Sequence, residues 1–431
     1  MSLALSAYLA LSSVAAPFAG PILRRRLARG KEEAGRLGER QGLAGLARPP
    51  GPLVWLHGAS VGEAMTALPL AAALRAEPSR PTVLLTTGTV TSAARVSALA
   101  PAGVLHQYVP VDTAPAVRRF LRHWRPDVAI WIESEFWPRL MVEAARAGVP
   151  MFLMNARLSA RSAASWARQP AMARQLIGLF RTIMPQDAET VGRLTALGAD
   201  PARLDEPANL KMLIPPPEAD AAAVMALRES LSGRPVWLAA STHPGEEAMV
   251  IAAHRALLAR RPGLLTILAP RHPDRGEALA AEIHAAGLSV ARRSDGAGPP
   301  EGGIWLADTL GEMGLWYRLA PVALVGGSLV AMGGHNPFEP AALGAAILHG
   351  PHTENFSPAY AALTAAGGAR AVTDGAAMAT ALEHLIAADG APTPAQAALT
   401  RAAAAVLEAG KPDIERYLNP LRAALAERRV R

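Results

Sequence analysis

A carboxylate just past a glycine-containing turn is a candidate proton acceptor, and Glu63 is placed that way. It closes the string Trp55-Leu56-His57-Gly58-Ala59-Ser60-Val61-Gly62-Glu63, which reads as a strand, a turn and the start of a helix. Partly withdrawn from water, such a group can take a proton from an attacking hydroxyl. It could also do no more than complement the positive end of a helix. Two further strings follow apolar runs in the same half of the chain. Glu133-Ser134-Glu135-Phe136-Trp137-Pro138-Arg139 sets two acids beside two aromatics, where solvated helix-cap carboxylates are the plainer explanation. Asn155-Ala156-Arg157-Leu158-Ser159-Ala160-Arg161 offers two arginines suited to a phosphate or carboxylate, with ordinary surface arginines as the alternative.

The second half holds a different chemistry. Ser241-Thr242-His243-Pro244-Gly245-Glu246 and Ala269-Pro270-Arg271-His272-Pro273 both leave strands and enter helices, so their hydroxyls, backbone N–H groups and Arg271 could hold a nucleotide phosphate. From Val325 to Pro340 the chain reads VGGSLVAMGGHNPFEP. Its paired glycines allow a close backbone approach to a ligand, a helix is expected from about Asn336, and Glu339 would lie one turn inside, in reach of a ribose diol. There is no Walker loop, and no G-x-G-x-x-G follows the first strand, so P-loop and dehydrogenase readings have no support. His335, His349 and His352 lack the spacing of metal ligands, and no metal site is expected.

These strings need a scaffold that places strand ends together. Short apolar runs alternate with alanine-rich stretches of helical period, the pattern of parallel βαβ units. One series of strands is predicted at 53–57, 82–87, 127–133, 151–155 and 182–185, and another at 236–240, 264–269, 304–307, 322–325 and 346–349. The expected fold is α/β, two Rossmann-like doubly wound domains with an inter-domain cleft. The domains are predicted over 31–208 and 221–405, joined by a linker at 209–220 that contains Pro215, Pro216 and Pro217. A C-terminal helix over 406–431 is expected to pack back on the first domain.

Hydrophobic residues make up 51% of the 431 and charged residues only 18%, so a large aliphatic core can be buried. The complete absence of cysteine excludes disulfides and thiolate chemistry. Basic residues outnumber acidic ones by 43 − 36 = 7, which predicts anionic partners. The arginines are too scattered for a nucleic-acid groove, so no nucleic acid is expected. Residues 3–23 carry no charge and are followed by Arg24, Arg25, Arg26 and Arg29. That order suits a membrane anchor or interfacial helix over 1–30 lying against anionic lipid, and a cleaved signal would have its basic residues first. Pro17, Gly20 and Pro21 speak against a straight span, and a helix packed on its own domain is the alternative.

Taken together, HGASVGE (57–63), ESEFWP (133–138), NARLS (155–159), STHPGEE (241–247), RHP (271–273) and GGHNPFEP (333–340) resemble the 3-deoxy-D-manno-octulosonic acid (Kdo) transferases, and the resemblance spans most of the chain. It implies a GT-B glycosyltransferase that moves Kdo from CMP-Kdo to a lipid A precursor at the cytoplasmic face of the bacterial inner membrane. It implies inversion at the anomeric carbon, with no cofactor, metal or protein partner. Glu63 would be the general base and Glu133 a second acidic site residue. Ser241, Thr242, Arg271, His272, Pro273, Gly333, Gly334, Asn336 and Glu339 would hold the nucleotide sugar, with Lys211 as a further contact. Ser60, Gly62, Arg157, Arg29 and Lys31 would face the acceptor. One departure occurs at Pro207-Ala208-Asn209-Leu210-Lys211, where relatives read Gly-Asn-Leu-Lys, and the lost glycine bears on backbone freedom there. A GT-B UDP-sugar epimerase and a membrane-bound nucleotide binder without catalysis are the rival readings.

Overall fold

The computed structural model describes residues 1–231 and 233–430. The chain forms two compact units, Met1–Ile214 with Lys411–Arg431, and Pro215–Gly410.

In the first unit six strands, β1 (Leu53–His57), β2 (Thr82–Thr87), β3 (Val104–Tyr108), β4 (Val128–Ile132), β5 (Met151–Ala156) and β6 (Phe180–Pro185), form one parallel sheet in the order β3-β2-β1-β4-β5-β6. This is the Rossmann order, reversing direction beside β1 and thereby opening a crevice at the carboxyl ends of β1 and β4. Helices cover both faces, which is why β1, β4 and β5 are buried at every residue and read as continuous apolar runs. One face packs Trp55 against Phe120 and Trp131, with ring centroids 4.9 and 5.0 Å apart. The other packs Val54, Leu56 and Ile130 against the helix Val61–Ala76 and against Tyr417, Leu418 and Leu421 of the helix Ile414–Val430.

The second unit repeats the plan with seven parallel strands, β7 (Val236–Thr242), β8 (Leu265–Pro270), β9 (Ser289–Arg292), β10 (Gly303–Leu306), β11 (Val322–Val325), β12 (Ala346–His349) and β13 (Ala369–Ala371), in the order β13-β12-β11-β7-β8-β10-β9. The three strands that pattern analysis does not predict, β3, β9 and β13, are all edge strands. Short, and with polar residues such as His106, Gln107, Ser289 and Arg370, they lack the unbroken apolar run that double-sided burial produces.

Three boundaries differ from expectation. The division falls between Ile214 and Pro215, inside the stretch read as a linker. Its first part is a 3-10 turn, Leu210–Leu213, with Leu210 fully buried in the first unit. The return to the first unit begins at Lys411 rather than 406, because the helix Pro394–Gly410 belongs to the second unit.

At the amino terminus the helices Leu3–Val14 and Ala19–Leu27 meet near Pro17. Leu5, Leu9 and Leu23 are buried in the first unit. The buried Arg139 guanidinium ties the first helix to this unit by donating to the Leu9 carbonyl and to Ser13 Oγ, and Tyr8 donates to Asp112 at 2.7 Å. Leu3, Leu11, Val14, Phe18 and Ile22 point into solvent, each more than half exposed. Among the described residues no single helix is long and apolar enough to cross a membrane, and the two helices reach that length only as a pair bent by 48°.

Candidate active site

At the carboxyl end of β1 the chain turns sharply into a helix capped by Ser60, whose Oγ accepts from Glu63 N. Gly58 makes the turn possible, since a Cβ there would lie 2.9 Å from the Glu63 carbonyl carbon. The Glu63 carboxylate folds back to accept from Ala59 N at 2.7 Å and Ser60 Oγ at 2.9 Å, so its position is set by backbone rather than by chance rotamer. Burial and the nearby charges of Glu133 and Glu135 raise its pKa to about 7, against the two hydrogen bonds that pull it down. A carboxyl group near 7 exchanges protons at the working pH of most enzymes. His57, one turn earlier, is a structural neighbour only: it is fully buried, bonded to Thr86, and held down to about 4 by burial.

Three further strings converge on this end of the sheet. Glu133 follows β4 with φ of 60° and Asn155 ends β5 with φ of 53°, left-handed conformations that non-glycine residues adopt at a cost of roughly 1–3 kcal/mol. Asn155 is fully buried and accepts from Leu210 N at 2.8 Å, which ties the 209–211 turn to β5. That turn carries Lys211, whose Nζ lies 2.7 Å from Glu133 in a mostly buried ion pair. Ala208 keeps an ordinary negative φ, so glycine's freedom is not needed where this chain lacks it. Glu135 is also raised by burial, and Ser134 Oγ is buried with no partner in the protein. Lys211→Met removes the cation that neutralises Glu133, leaving more negative charge beside Glu63. The acid limb of the activity–pH profile is therefore expected to move to higher pH, read from kcat/KM between pH 5 and 9.

Of the residues assigned to the acceptor, Ser60 and Gly62 are exposed at the Glu63 turn and Arg157 is half-buried just past β5. Arg29 and Lys31 are exposed on the segment after the second helix. Beneath that segment lies a buried ionic cluster, Glu32 with Arg26 at 2.6 Å and Arg40 at 3.1 Å. Arg40 donates to the Gly88 carbonyl, and Gly88 N donates to the Ala59 carbonyl beside Glu63.

In the second unit the site is again at strand ends. Ser241 has φ of 56° where β7 bulges between Ala240 and Thr242, and the fully buried Thr242 Oγ1 has no partner in the protein. Arg271 and His272 are exposed after β8, and Arg271 N donates to the Thr242 carbonyl at 2.9 Å. Pro273 opens the short turn that follows. Gly327, Gly333 and Gly334 all have positive φ, and Gly334 N donates to the Gly327 carbonyl, folding the stretch into a compact loop. The helix expected from Asn336 is shorter than the sequence suggests, Phe338–Ala342 only, because Asn336 and Pro337 precede it as its cap and Gly344, with φ of 78°, ends it. Asn336 caps it through Phe338 N and donates to Glu339 at 3.3 Å.

One carboxylate at the heart of this loop was not singled out by sequence reasoning. Glu246 is fully buried and accepts from His243 N, Gly327 N, Ser328 N and Leu329 N at 2.7–3.0 Å. It fills the backbone anion nest of the first glycine pair with the chain's own carboxylate. A Glu in a first helical turn after a glycine was visible in STHPGEE, but the partner loop lies some 80 residues on and nothing local points to it.

Two parallel Rossmann-like sheets, with acids at the strand ends of one and a glycine loop with basic groups at those of the other, define the GT-B class of glycosyltransferases. A crystal structure of a glycosyltransferase from Rickettsia africae superposes with a TM-score of 0.58 at 10% identity, covering 88% of this chain and 99% of that one. A UDP-N-acetylglucosamine 2-epimerase from Listeria monocytogenes reaches 0.56 at 13%, covering 83% and 94%, so the fold alone leaves the reaction open. Sequence closes that gap. The profile of the 3-deoxy-D-manno-octulosonic-acid transferase (kdotransferase) family matches residues 35–214. The 3-deoxy-D-manno-octulosonic acid transferase of Bordetella pertussis is 43% identical over 78% of this chain and 80% of its own length. That of Haemophilus influenzae is 37% identical over 74% and 76%. The chain belongs to the 3-deoxy-D-manno-octulosonic acid transferase family and is a glycosyltransferase enzyme.

Proposed function

We propose that this enzyme transfers Kdo from CMP-Kdo to a hydroxyl of a lipid A precursor, with Glu63 as general base and inversion at the anomeric carbon. The observation that carries the reading is Glu63 itself, a carboxyl oriented by Ala59 N and Ser60 and raised to about 7 by burial and two neighbouring acids. Glu63 takes the acceptor hydroxyl proton, the oxygen bonds to the anomeric carbon, and the bond from that carbon to the phosphate oxygen breaks, releasing CMP. Glu133, paired with Lys211, holds the charge balance that keeps Glu63 protonatable. Ser241, Thr242, Arg271, His272, Pro273, Gly333, Gly334, Asn336 and Glu339 hold the nucleotide, and the unpartnered Thr242 Oγ1 supports a ligand there. No cluster of three or more metal-ligating side chains occurs among the described residues, and the reading assigns neutralisation of the leaving phosphate to Arg271 and backbone N–H groups. Incubation with CMP-Kdo, a lipid A precursor and EDTA, followed by mass spectrometry of the lipid, tests donor, acceptor and metal independence together. An unmodified lipid with intact CMP-Kdo would refute the transfer.

The acceptor is a lipid, and we assign the enzyme to the cytoplasmic face of the inner membrane. The exposed Leu11, Val14 and Phe18, followed in sequence by the exposed Arg24, Arg25 and Arg29, supply apolar groups and cations on the same amino-terminal segment. Deleting the segment would also remove Leu5, Leu9 and Leu23 from the core, so substitution is the cleaner test. The triple variant Leu11→Ser, Val14→Ser, Phe18→Ser is expected to lose at least tenfold in binding to vesicles containing anionic lipid, with an unchanged melting temperature. Equal flotation with wild type would remove the membrane assignment.

A further inference from the structure

The strand-end loops of the second unit bring together two imidazoles to which nucleotide binding assigns no task. His243, after β7, and His335, after β11, lie with their rings nearly parallel, planes 16° apart and centroids 5.1 Å apart, and their Nε2 atoms meet at 2.9 Å. His272, after β8, meets His243 edge-on at 6.1 Å. The pair is fixed from both sides: His243 N donates to Glu246, His335 N to the Gly326 carbonyl, and Tyr360 OH to the His335 carbonyl at 2.8 Å. The charged groups facing it are Arg271 and His272 from the loop after β8, and Glu246 and Glu247 from the helix Glu246–Leu258. Both acids are engaged elsewhere, Glu246 with four backbone N–H groups and Glu247 with Arg275 at 2.6 Å.

A bond between two Nε2 atoms holds one hydrogen. With both rings neutral, one donates through Nε2–H and has a bare Nδ1, while the other accepts through Nε2 and carries its hydrogen on Nδ1. One added proton fits on the bare Nδ1 and makes the link charge-assisted, hence stronger. A second would set two N–H groups head to head and break it. The pair is thus a store for a single proton. In the free protein it is kept empty: burial pushes His335 down to about 4, helped by His243, Arg271 and His272, and burial lowers His243 as well. An anion arriving among the same groups reverses that field, because an opposite charge within about 4–6 Å favours the imidazolium.

We propose that the His243–His335 pair takes up one proton from solvent when the nucleotide phosphate binds, and so supplies an extra cationic donor to the departing phosphate monoester. The inference rests on the reading that the nucleotide phosphate sits at the Arg271 loops. The charge of the leaving group rises from one to two as the glycosyl bond breaks, which is when an added proton does most. The proton returns to solvent with product release, and no covalent bond of the protein changes.

Calorimetric titration of CMP into the full-length protein at pH 6.5, in two buffers of different ionisation heat, counts the protons taken up. Gln keeps a polar group near the Nε2 position but has no basic nitrogen, so the double variant His243→Gln, His335→Gln empties the store, whereas either single variant keeps one imidazole able to take the proton. Wild type is expected to take up at least about half a proton more per CMP than the double variant, which then reports the nucleotide's own ionisation. Equal uptake in wild type and double variant, with CMP heats present, overturns the proton store and leaves the nucleotide site standing. Absence of CMP heat in wild type overturns both. Should the double variant unfold, displacement of the wild-type imidazole C2–H resonances on CMP addition gives the answer without substitution.

Discussion

Glu63→Gln is expected to lower turnover at least a hundredfold while CMP affinity stays unchanged, because the amide keeps the side chain's shape and loses only the ability to accept a proton. In wild type the carboxyl must be ionised to act, so kcat/KM should rise with pH up to about 7 and then level off, and the variant's residual activity should lack that limb. The same group makes a prediction of opposite sign for stability. Its pKa in the folded chain lies above its ordinary value near 4.5, so the folded state holds the proton more tightly than the unfolded one. Stability from this group is complete below about 4.5 and declines as pH rises towards 7, by up to the order of 3 kcal/mol. Above pH 7 the Gln variant, never ionised, should melt at or above the wild-type temperature. Wild-type turnover in the variant would refute the base assignment. A lower melting temperature at pH 8 would instead count against the burial argument.

Glu246→Ala should give the largest loss of stability. It strands four buried backbone donors, and each unsatisfied buried group costs roughly 1–3 kcal/mol before water enters. Partial hydration of the new cavity offsets some of this, leaving an expected loss of about 3–5 kcal/mol, on the scale of removing one member of a buried charged network. For a unit of this size that lowers the melting temperature by about 10 °C. Glu246→Gln should lose nearly as much, since its amide nitrogen turns two of the four bonds into donor–donor contacts. Because the stranded groups include Gly327 and Ser328, CMP binding should weaken with it. An unchanged melting curve for the Ala variant would show that the four bonds do not hold the glycine loop.

Much of this protein was legible in sequence because parallel sheets covered on both faces leave an unmistakable trace. All ten predicted apolar runs are strands, nine of them interior and one, β6, at a sheet edge, and the polar strings that end them sit at carboxyl ends, where α/β folds place ligands. Glu63, Glu133, Arg271 and Asn336 could therefore be named from type and position, and the six family strings suggested the roles proposed for them. Three of the four edge strands escaped for the converse reason, since half-exposed β3, β9 and β13 need no apolar run.

What sequence by itself determined was the layering, the chemistry available at each strand end, and the family. Tertiary structure alone decided which strings meet: Lys211 with Glu133, Asn155 with Leu210, Glu246 with the Gly327 turn, and His243 with His335. The reason is physical. Local propensity and hydrophobic period act over a few residues, whereas a buried ion pair or a carboxylate in a backbone nest joins groups 55 to 92 residues apart, and only the packed fold brings its partners within reach.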